Sequence, residues 1–354
     1  MTKLMSDKLV SDVVLGTQAR NGLPLVTVIM PIRNEARYIE RSLGSVLSQD
    51  YPAGRIEVLV VDGMSDDDTR RMVQRIVEER RRRGGAEAAR VAVIDNPART
   101  APAALNIGLQ QARGDVIIRV DGHCEIPPEY VRLCIDALDR TGADCAGGAL
   151  VTLGETQLAR AIAAAQSSRF GVGGVAFRTG RAQGEYVDTV AFGAYHREVF
   201  ERIGGFDEEL VRNQDDELNF RLTQSGGKIW LDPAISSVYY SRASLGKLWR
   251  QYFEYGFYKV RVIQKRGAVA SWRHLAPGAF VLSLLASLLL ALLTRQPRWA
   301  LIVIGPYAIA NGAASLATSR NDLRALPLMP LVFGTLHVAY GAGFLWGIYK
   351  WNSR

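Results

Sequence analysis

The sequence predicts an α/β domain followed by transmembrane helices, and two observations carry that prediction. Residues 25–120 alternate short, nearly continuous apolar runs with segments of helical periodicity, which indicates a parallel sheet covered on both faces. Residues 275–349 are mostly apolar, whereas residues 1–270 are charged and mixed. This shift in composition marks the main predicted domain boundary.

Four strands and three helices are expected in the first 120 residues. The strands are 25–30, 56–61, 91–94 and 116–120, and the helices are 37–47, about 66–83, and 103–112. Pro31 is expected to end the first strand, because proline cannot donate to a strand ladder. Residues 1–24 lack the apolar core of a signal peptide and are interpreted as a flexible lead-in.

Polar and turn-forming residues follow each strand, at the edge of the sheet where α/β proteins bind ligands. Asp62 and Asp121 come directly after the second and fourth strands. Acids at equivalent strand ends favour a binding site, although Asp also serves in turns and caps. The densest acidic cluster lies further along, at 214–217, and from the residues alone it suits a catalytic cluster and a solvated loop equally well.

Basic residues concentrate ahead of the apolar region. The net charge is +8, and between Arg242 and Arg273 eight basic residues stand against one acid, Glu254. Residues 244–264 place aromatic and basic side chains at helical spacing, which predicts an amphipathic helix in a membrane interface; a helix packed on the preceding domain is the alternative. Because the cluster abuts an apolar segment, anionic lipid is the expected partner of region 241–274.

Three uncharged stretches follow, each long enough to cross about 30 Å of hydrocarbon. They are 275–294, 299–319 and 325–349, within a membrane region at 275–354. Pro306, Asn311 and Gly312 interrupt the second stretch, so about three spans are expected. The basic region ahead of the first span places the preceding domain on the cytoplasmic side of an inner membrane by the positive-inside rule.

Five motifs, taken in order, resemble those of the family 2 glycosyltransferases. They lie at 28–35, 60–69, 103–115, 119–123, and 204–208 with 214–221. The resemblance covers about residues 25–260, and the nearest subgroup is the glucosyltransferase type of succinoglycan biosynthesis. It implies a nucleotide-sugar-binding domain of the GT-A type at 25–240, a divalent metal, and inversion of the anomeric centre.

On the donor side the resemblance implies residues at the strand ends, which are Pro31, Glu35, Asp62 and Asp121. Asp62 would lie beside the base, and Asp121 by the ribose and the metal. His123 stands at the second acidic place of the family's DxD motif, so Asp121 and His123 would hold the metal. An imidazole suits Mn²⁺ better than Mg²⁺, and either ion would offset charge on a nucleoside diphosphate leaving group.

On the acceptor side the resemblance implies Asp215 as the base, with Gln214, Asp216 and Arg221 around it. A carboxylate opposite the leaving group can remove the proton of an acceptor hydroxyl during one in-line displacement, which inverts configuration. Gln214 stands where many members have glutamate, and losing that like charge would lower the pKa of the base. The QxxRW motif of chain-extending synthases is not seen, which favours addition of a single sugar.

The sequence therefore favours transfer of one sugar, glucose from UDP-glucose, onto a polyprenyl-diphosphate-linked oligosaccharide in exopolysaccharide biosynthesis. One alternative is a polyprenyl-phosphate sugar synthase, whose phosphate acceptor needs no general base. Another is a non-catalytic subunit that binds a nucleotide sugar, which His123 and Gln214 suggest. Nucleic acid is not an expected partner.

Overall fold

The computed structural model describes residues 22–84, 89–179, 182–241, 244–267 and 272–352. The expected lead-in at 1–24 lies almost entirely outside these residues. The strands are β1 (Val26–Ile32), β2 (Ile56–Asp62), β3 (Arg90–Asp95), β4 (Val116–Arg119), β5 (Cys124–Glu125), β6 (Cys145–Leu153), β7 (Glu185–Val187), β8 (Ala191–His196) and β9 (Ile229–Tyr240).

The α-helices divide into a set around the sheet and a C-terminal set. The first set is α1 (Ile39–Leu47), α2 (Thr69–Gly84), α3 (Ala101–Gln111), α4 (Tyr130–Thr141), α5 (Gln157–Gln166), α6 (Arg169–Val172), α7 (Ala176–Thr179), α8 (Arg197–Ile203) and α9 (Gln214–Gln224). The second set is α10 (Leu245–Arg266), α11 (Ala276–Thr294), α12 (Arg298–Thr318) and α13 (Met329–Asn352).

One sheet, ordered β3-β2-β1-β4-β8-β6-β9-β5 with β7 beside β9, forms the centre of the described domain. The first four strands in this order run parallel, which confirms the prediction for residues 25–120. Beyond β4 the sheet is mixed, because β8 joins β4 antiparallel and β6 joins β8 antiparallel. The expected parallel sheet is therefore only half of the observed one.

Pro31 lies inside β1, so the expectation that it ends the strand is wrong. The pairing of β1 with β2 continues to Ile32, but its pairing with β4 stops at Ile29. Pro31 lies two residues beyond Ile29, the last residue that pairs with β4, so its missing amide hydrogen costs no ladder bond on that side.

Helices cover both faces of the sheet. On one face Ile39 and Leu43 of α1 and Tyr130 of α4 are fully buried against the strands. On the other face Leu105 of α3 and Leu218 of α9 are buried in a second cluster. At the carboxyl ends of the parallel strands, Asp62 at the end of β2 is buried, whereas Arg119, Asp121 and His123 at the end of β4 line a cavity.

Three described helices are long and apolar enough to cross a membrane: α11, α12 and α13. They differ in burial, since 17% of the most apolar window of α11 and 11% of that of α12 are buried, against 44% for α13. Leu292 of α11 and Ile309 of α12 are 74% and 76% exposed, as lipid-facing side chains are in the absence of a bilayer. Helix α13 is instead partly enclosed by protein.

Helix α13 packs lengthwise against α10 through glycines. A Cβ on Gly343 would lie 2.0 Å from the carbonyl oxygen of Phe253, and one on Gly256 would lie 2.1 Å from that of Tyr340. Small residues at such crossings allow two helix backbones to approach closely. At its far end α13 receives a hydrogen bond from Gln264 to Asn352, at 2.9 Å.

Four of the six basic side chains of α10 pair with acids of the α/β domain, whereas Lys247 and Arg250 are exposed, so an anionic-lipid partner for region 241–274 remains a prediction. Arg261 Nε lies 2.9 Å from Glu209 Oε1, and Lys259 Nζ lies 2.7 Å from Asp216 Oδ2. Lys265 also contacts Glu209 at 2.7 Å. The amphipathic helix is present as predicted, but most of its charges meet acids that lie about forty to sixty residues earlier in the chain.

Candidate active site

A cavity of about 580 Å³ runs from the open strand ends to the C-terminal helices. At one end it is lined by Arg119, Asp121 and His123, and at the other by side chains of α11, α12 and α13. Asp215 lies on its wall with Gln214 and Asp216. The structure thus brings together residues that the sequence assigns to the donor and acceptor sides.

Arg119, Asp121 and His123 alternate along the chain at the end of β4, and all three line the cavity. The Arg119 guanidinium donates two hydrogen bonds to Asp121, Nε to Oδ1 at 2.7 Å and Nη2 to Oδ2 at 3.0 Å. Burial alone would raise the pKa of Asp121, but Arg119, with His123 and Arg212 further off, lowers it. Asp121 is therefore an ionised carboxylate at neutral pH.

Glu35 reaches the same strand end from the loop after β1. Its Oε1 lies 2.7 Å from His123 Nδ1. Gly122 makes this contact possible, because a Cβ there would lie 2.8 Å from Glu35 Cγ. Glu35, Asp121 and His123 are thus neighbours, although two separate motifs supply them.

Asp121 and His123 fit a divalent metal that is held jointly with a substrate diphosphate. Within the described ranges, no group of three or more His, Cys, Asp or Glu side chains is arranged to hold a cation alone. Each Asp121 oxygen retains accepting capacity beyond its bond to Arg119. One or two protein ligands completed by substrate phosphates is a usual arrangement for Mg²⁺.

Asp62 is fully buried and does not line the cavity. Its Oδ1 accepts a 2.6 Å hydrogen bond from Ser65 Oγ, and Arg70 Nη1 lies 3.5 Å from Oδ2. A nucleotide base at this strand end would compete with Ser65 for the carboxylate. Pro31, in β1, also lies outside the cavity lining, so the donor roles of both residues remain predictions.

Asp215 occupies the first turn of α9, which starts after Asn213 in the left-handed conformation (φ 62°). The Asn213 side-chain amide donates to the carbonyl of Tyr255 in α10, at 3.0 Å. Asp216 is held from the same helix by Lys259 at 2.7 Å and by Arg266 at 2.9 Å. The turn that presents Asp215 is therefore fixed by the helix that packs on α13.

Asp216 is a buried anion within a basic cluster. Burial alone would raise the pKa of its carboxyl, but Lys259 and Arg266 lower it well below the usual range. Burial, with Lys259 as the next cause, lowers the pKa of the neighbouring His274, which is therefore neutral at pH 7. Asp216 thus anchors α9 and is not available as a base.

Arg221 does not line the cavity, so its acceptor-side role also remains a prediction. Its Nε lies 2.6 Å from Glu217 Oε1 one turn earlier in α9, and its Nη2 donates to the carbonyl of Gly205 at 2.7 Å. Asn106 holds the same turn through 2.8 Å hydrogen bonds to the amide and carbonyl of Phe206. Parts of two motifs therefore serve to fix the 204–208 turn.

Several cavity residues were not singled out from the sequence. They include Arg178, Arg212, Arg273, His274, Tyr307, His337 and Tyr340. For Tyr307, His337 and Tyr340 the sequence did offer a signal, because they are polar side chains within apolar segments. Polar residues inside a membrane usually face a protein interior or cavity. His337 does so, with Nδ1 3.0 Å from Tyr307 Oη and Nε2 2.8 Å from the carbonyl of Phe170.

Residues 27–204 match the family model described as Glycosyl transferase family 2. The chain is 34% identical over 323 residues to the succinoglycan biosynthesis protein ExoA of Rhizobium meliloti, covering 90% of this chain and 93% of that protein. It is 27% identical over 334 residues to a dolichyl N-acetyl-alpha-D-glucosaminyl phosphate 3-beta-D-2,3-diacetamido-2,3-dideoxy-beta-D-glucuronosyltransferase of Methanococcus voltae, covering 93% and 98%.

Two solved structures share the fold. A mannosyltransferase from Pyrobaculum calidifontis, in complex with GDP-Man and Mn²⁺, aligns with a TM-score of 0.59 at 19% identity, covering 93% of this chain and 88% of that one. Residues 1–349 of TarS from S. aureus, in complex with UDP-GlcNAc, align with a TM-score of 0.51 at 18% identity, covering 92% of each chain. The fold is GT-A-like, as the motifs imply.

Proposed function

Since the chain belongs to glycosyl transferase family 2, we propose that it transfers a single glucose from UDP-glucose to a hydroxyl of a polyprenyl-diphosphate-linked oligosaccharide. One observation carries this proposal: Asp215 lies on a cavity that joins the Asp121–His123 strand end to the C-terminal helices. A base between a polar donor end and a membrane-facing end suits transfer to a lipid-linked acceptor.

The donor would bind at the strand end. The relatives of known structure are complexes with GDP-Man and Mn²⁺ and with UDP-GlcNAc, which supports a nucleotide sugar here. Asp121 and His123 would hold a divalent metal, which when bound supplies positive charge beside the leaving diphosphate. The choice of glucose rests on the motif resemblance to the succinoglycan type.

Asp215 would act as the general base. Its carboxylate faces the cavity and would accept the proton of the acceptor hydroxyl as that oxygen attacks the anomeric carbon. One in-line displacement inverts the anomeric centre and needs no enzyme nucleophile. Asn213 and Asp216, bound to α10, would keep the carboxylate in place during the reaction.

The acceptor would arrive from the membrane. The Methanococcus voltae relative is named for a dolichyl-phosphate-linked sugar substrate, and the Rhizobium meliloti relative for succinoglycan biosynthesis. Both names support a role in lipid-linked or exopolysaccharide assembly. The domain would lie on the cytoplasmic side of the inner membrane, with α11 and α12 crossing the bilayer and α13 lying along the domain.

A polyprenyl-phosphate sugar synthase is the second candidate, and the basic residues at the membrane end favour it. Arg178, Lys259 and Arg273 line that end, where a phosphate acceptor would bind. A phosphate oxygen is already ionised and attacks without a base. The two candidates therefore differ in what they require of Asp215.

The deciding experiment is transfer of labelled glucose from UDP-glucose into the lipid-extractable fraction of membranes, with Mn²⁺. Asp215→Asn should lower the rate about 100- to 10,000-fold while UDP binding is unchanged, because only base catalysis is lost. Asp136→Asn is the matched control, since Asp136 lies outside the five motifs, is exposed, and forms its described ion pair with Arg132 one turn earlier in α4. Label that survives Asp215→Asn would favour the phosphate acceptor.

A further inference from the structure

The membrane end of the cavity contains buried polar atoms that lack hydrogen-bond partners. Among the described residues, Arg178 Nη1, Arg273 Nε and Tyr340 Oη have no hydrogen-bond partner, and all three residues line the cavity with other atoms of their side chains or backbone. A buried donor without a partner costs free energy, so native structures rarely keep one without a ligand or water. Three around one space indicate a ligand that accepts hydrogen bonds.

The charge of the lining indicates that this ligand is an anion. Five arginine and lysine side chains line the cavity against three aspartates. Asp121 is already paired with Arg119, and Asp216 with Lys259. Within the part of the chain that the structure describes, Arg178 has no ion pair, and the ion pair of Arg273, 3.4 Å to Asp188, involves an exposed carboxylate.

Arg273 is held in place at the membrane end. Gly173, in the left-handed conformation (φ +70°), packs beneath it, and a Cβ there would lie 3.0 Å from Arg273 Cβ. Phe170 in the same segment contacts α13 edge-on, with its ring 4.9 Å from that of Phe333. The segment 168–179 thus carries Arg178 and supports Arg273 directly under the C-terminal helices.

The wall next to these arginines is apolar and leads between the C-terminal helices. Phe280 of α11 stacks on Tyr307 of α12, with ring centroids 4.4 Å apart, and both line the cavity with Leu336 of α13. The outer surfaces of α11 and α12 are rich in exposed leucines. A ligand here would have an anionic head beside the arginines and an apolar tail toward the lipid.

We propose that Arg178, Arg273 and Tyr340 bind the diphosphate of an isoprenoid-diphosphate-linked acceptor, whose first isoprene units lie against Phe280, Tyr307 and Leu336. The inference rests on the proposed function, and it makes α11–α13 part of the acceptor site as well as an anchor. The sugar attached to the diphosphate would extend along the cavity toward Asp215.

The experiment measures binding of farnesyl diphosphate to the full chain in nanodiscs of uncharged lipid, without any sugar donor. Arg178→Gln and Arg273→Gln should each weaken binding about 10- to 100-fold, as expected for loss of a charged hydrogen bond. Arg250→Gln is the matched control, because Arg250 is 83% exposed and pairs only within α10. Binding of UDP with Mn²⁺ should be unchanged in all three variants.

Four outcomes would overturn the inference: full farnesyl diphosphate binding in both arginine variants, weakened UDP binding in them, equal affinity for inorganic diphosphate, or displacement by phosphatidylglycerol. The second would assign the arginines to the donor diphosphate, and the last to an ordinary lipid headgroup. Arg273→Lys keeps the charge and should retain most binding, which separates the ligand role from misfolding. This binding experiment is independent of the transfer assay. A wild-type protein that binds farnesyl diphosphate but transfers no glucose would therefore contradict the proposed function and not this inference.

Discussion

The two ends of the cavity differ in how their charges are satisfied. At the strand end Arg119 and Asp121 form a two-point ion pair, and His123 contacts Glu35. At the membrane end Arg178 and Arg273 have buried nitrogen atoms without partners among the described residues. The charges of the first end are paired within the protein, whereas the second is arranged for an anion that the protein does not supply.

The difference also separates buried charges that the fold itself pairs from buried donors that it leaves without a partner. A paired buried charge stabilises the folded chain only while both partners are present. An unpaired buried donor costs stability until its ligand binds, and ligand binding then stabilises the folded state by mass action. A substitution at the strand end should therefore mainly lower stability, whereas one at the membrane end should mainly weaken ligand binding.

The largest effect is expected from Asp121→Asn. The substitution leaves the Arg119 guanidinium, 15% exposed, without its counter-charge, which should lower the free energy of unfolding by about 3–5 kcal/mol. Arg273→Gln should change it by less than about 1 kcal/mol, since only an exposed contact is lost. Denaturant unfolding in detergent measures both values.

A double substitution supplies the control at the strand end. Replacing Arg119 by Met together with Asp121→Asn removes the unpaired charge and should recover much of the lost stability. Equal destabilisation by Asp121→Asn and Arg273→Gln would contradict the distinction between the two ends.

The strand end could be predicted from the sequence because its residues are local. Asp121 and His123 stand two positions apart after one strand, so a single motif identifies them. The membrane end could not, since Arg178, Arg273 and Tyr340 come from three distant segments that only the packing of α13 brings together. No local sequence pattern indicates that three distant segments come together at one site.

The directions of long side chains could not be predicted from local motifs, as two sets of basic residues show. Arg221 stands four residues after Glu217 on one helix, a spacing that favours an ion pair along the helix surface. The basic residues of α10 were assigned to lipid, although acids at 207–216 neutralise most of them. Tertiary contacts decide where a long side chain points.

A smaller effect, which disappears at acid pH, is expected from Asp216, which joins α9 to α10. The folded-state pKa of Asp216 is lowered by Lys259 and Arg266 against the opposing effect of burial. Its stabilisation is therefore fully present above the unfolded-state pKa of about 4 and is lost as the pH falls toward the folded value. Asp216→Asn should lower the free energy of unfolding by about 1.5–3 kcal/mol at pH 7.

The difference between wild type and Asp216→Asn should shrink as the pH falls below about 4. Thermal unfolding in detergent across this range measures it. A constant gap between Asp216→Asn and wild type would show that Asp216 does not titrate as an ion-paired group.

The last prediction concerns the number of membrane crossings, which depends on α13. This helix forms part of the membrane end of the cavity yet contacts the domain along its length. Its first half packs on Ala161 and Ile162 of α5, and its Trp351 lies under Arg261, which pairs with Glu209. A helix of about 36 Å with both ends at one domain does not cross a bilayer away from that domain. Only α11 and α12 should then cross, returning the C-terminal end to the catalytic side.

Labelling of single introduced cysteines with a membrane-impermeant maleimide tests this. The native Cys124, Cys134 and Cys145 are buried and should not react. Asn352→Cys should react on the same side as Asp68→Cys, and Gln296→Cys, in the turn between α11 and α12, on the opposite side. Reaction of Asn352→Cys together with Gln296→Cys would mean three crossings. Helix α13 would then leave the domain, and Tyr340 could not share a site with Arg178.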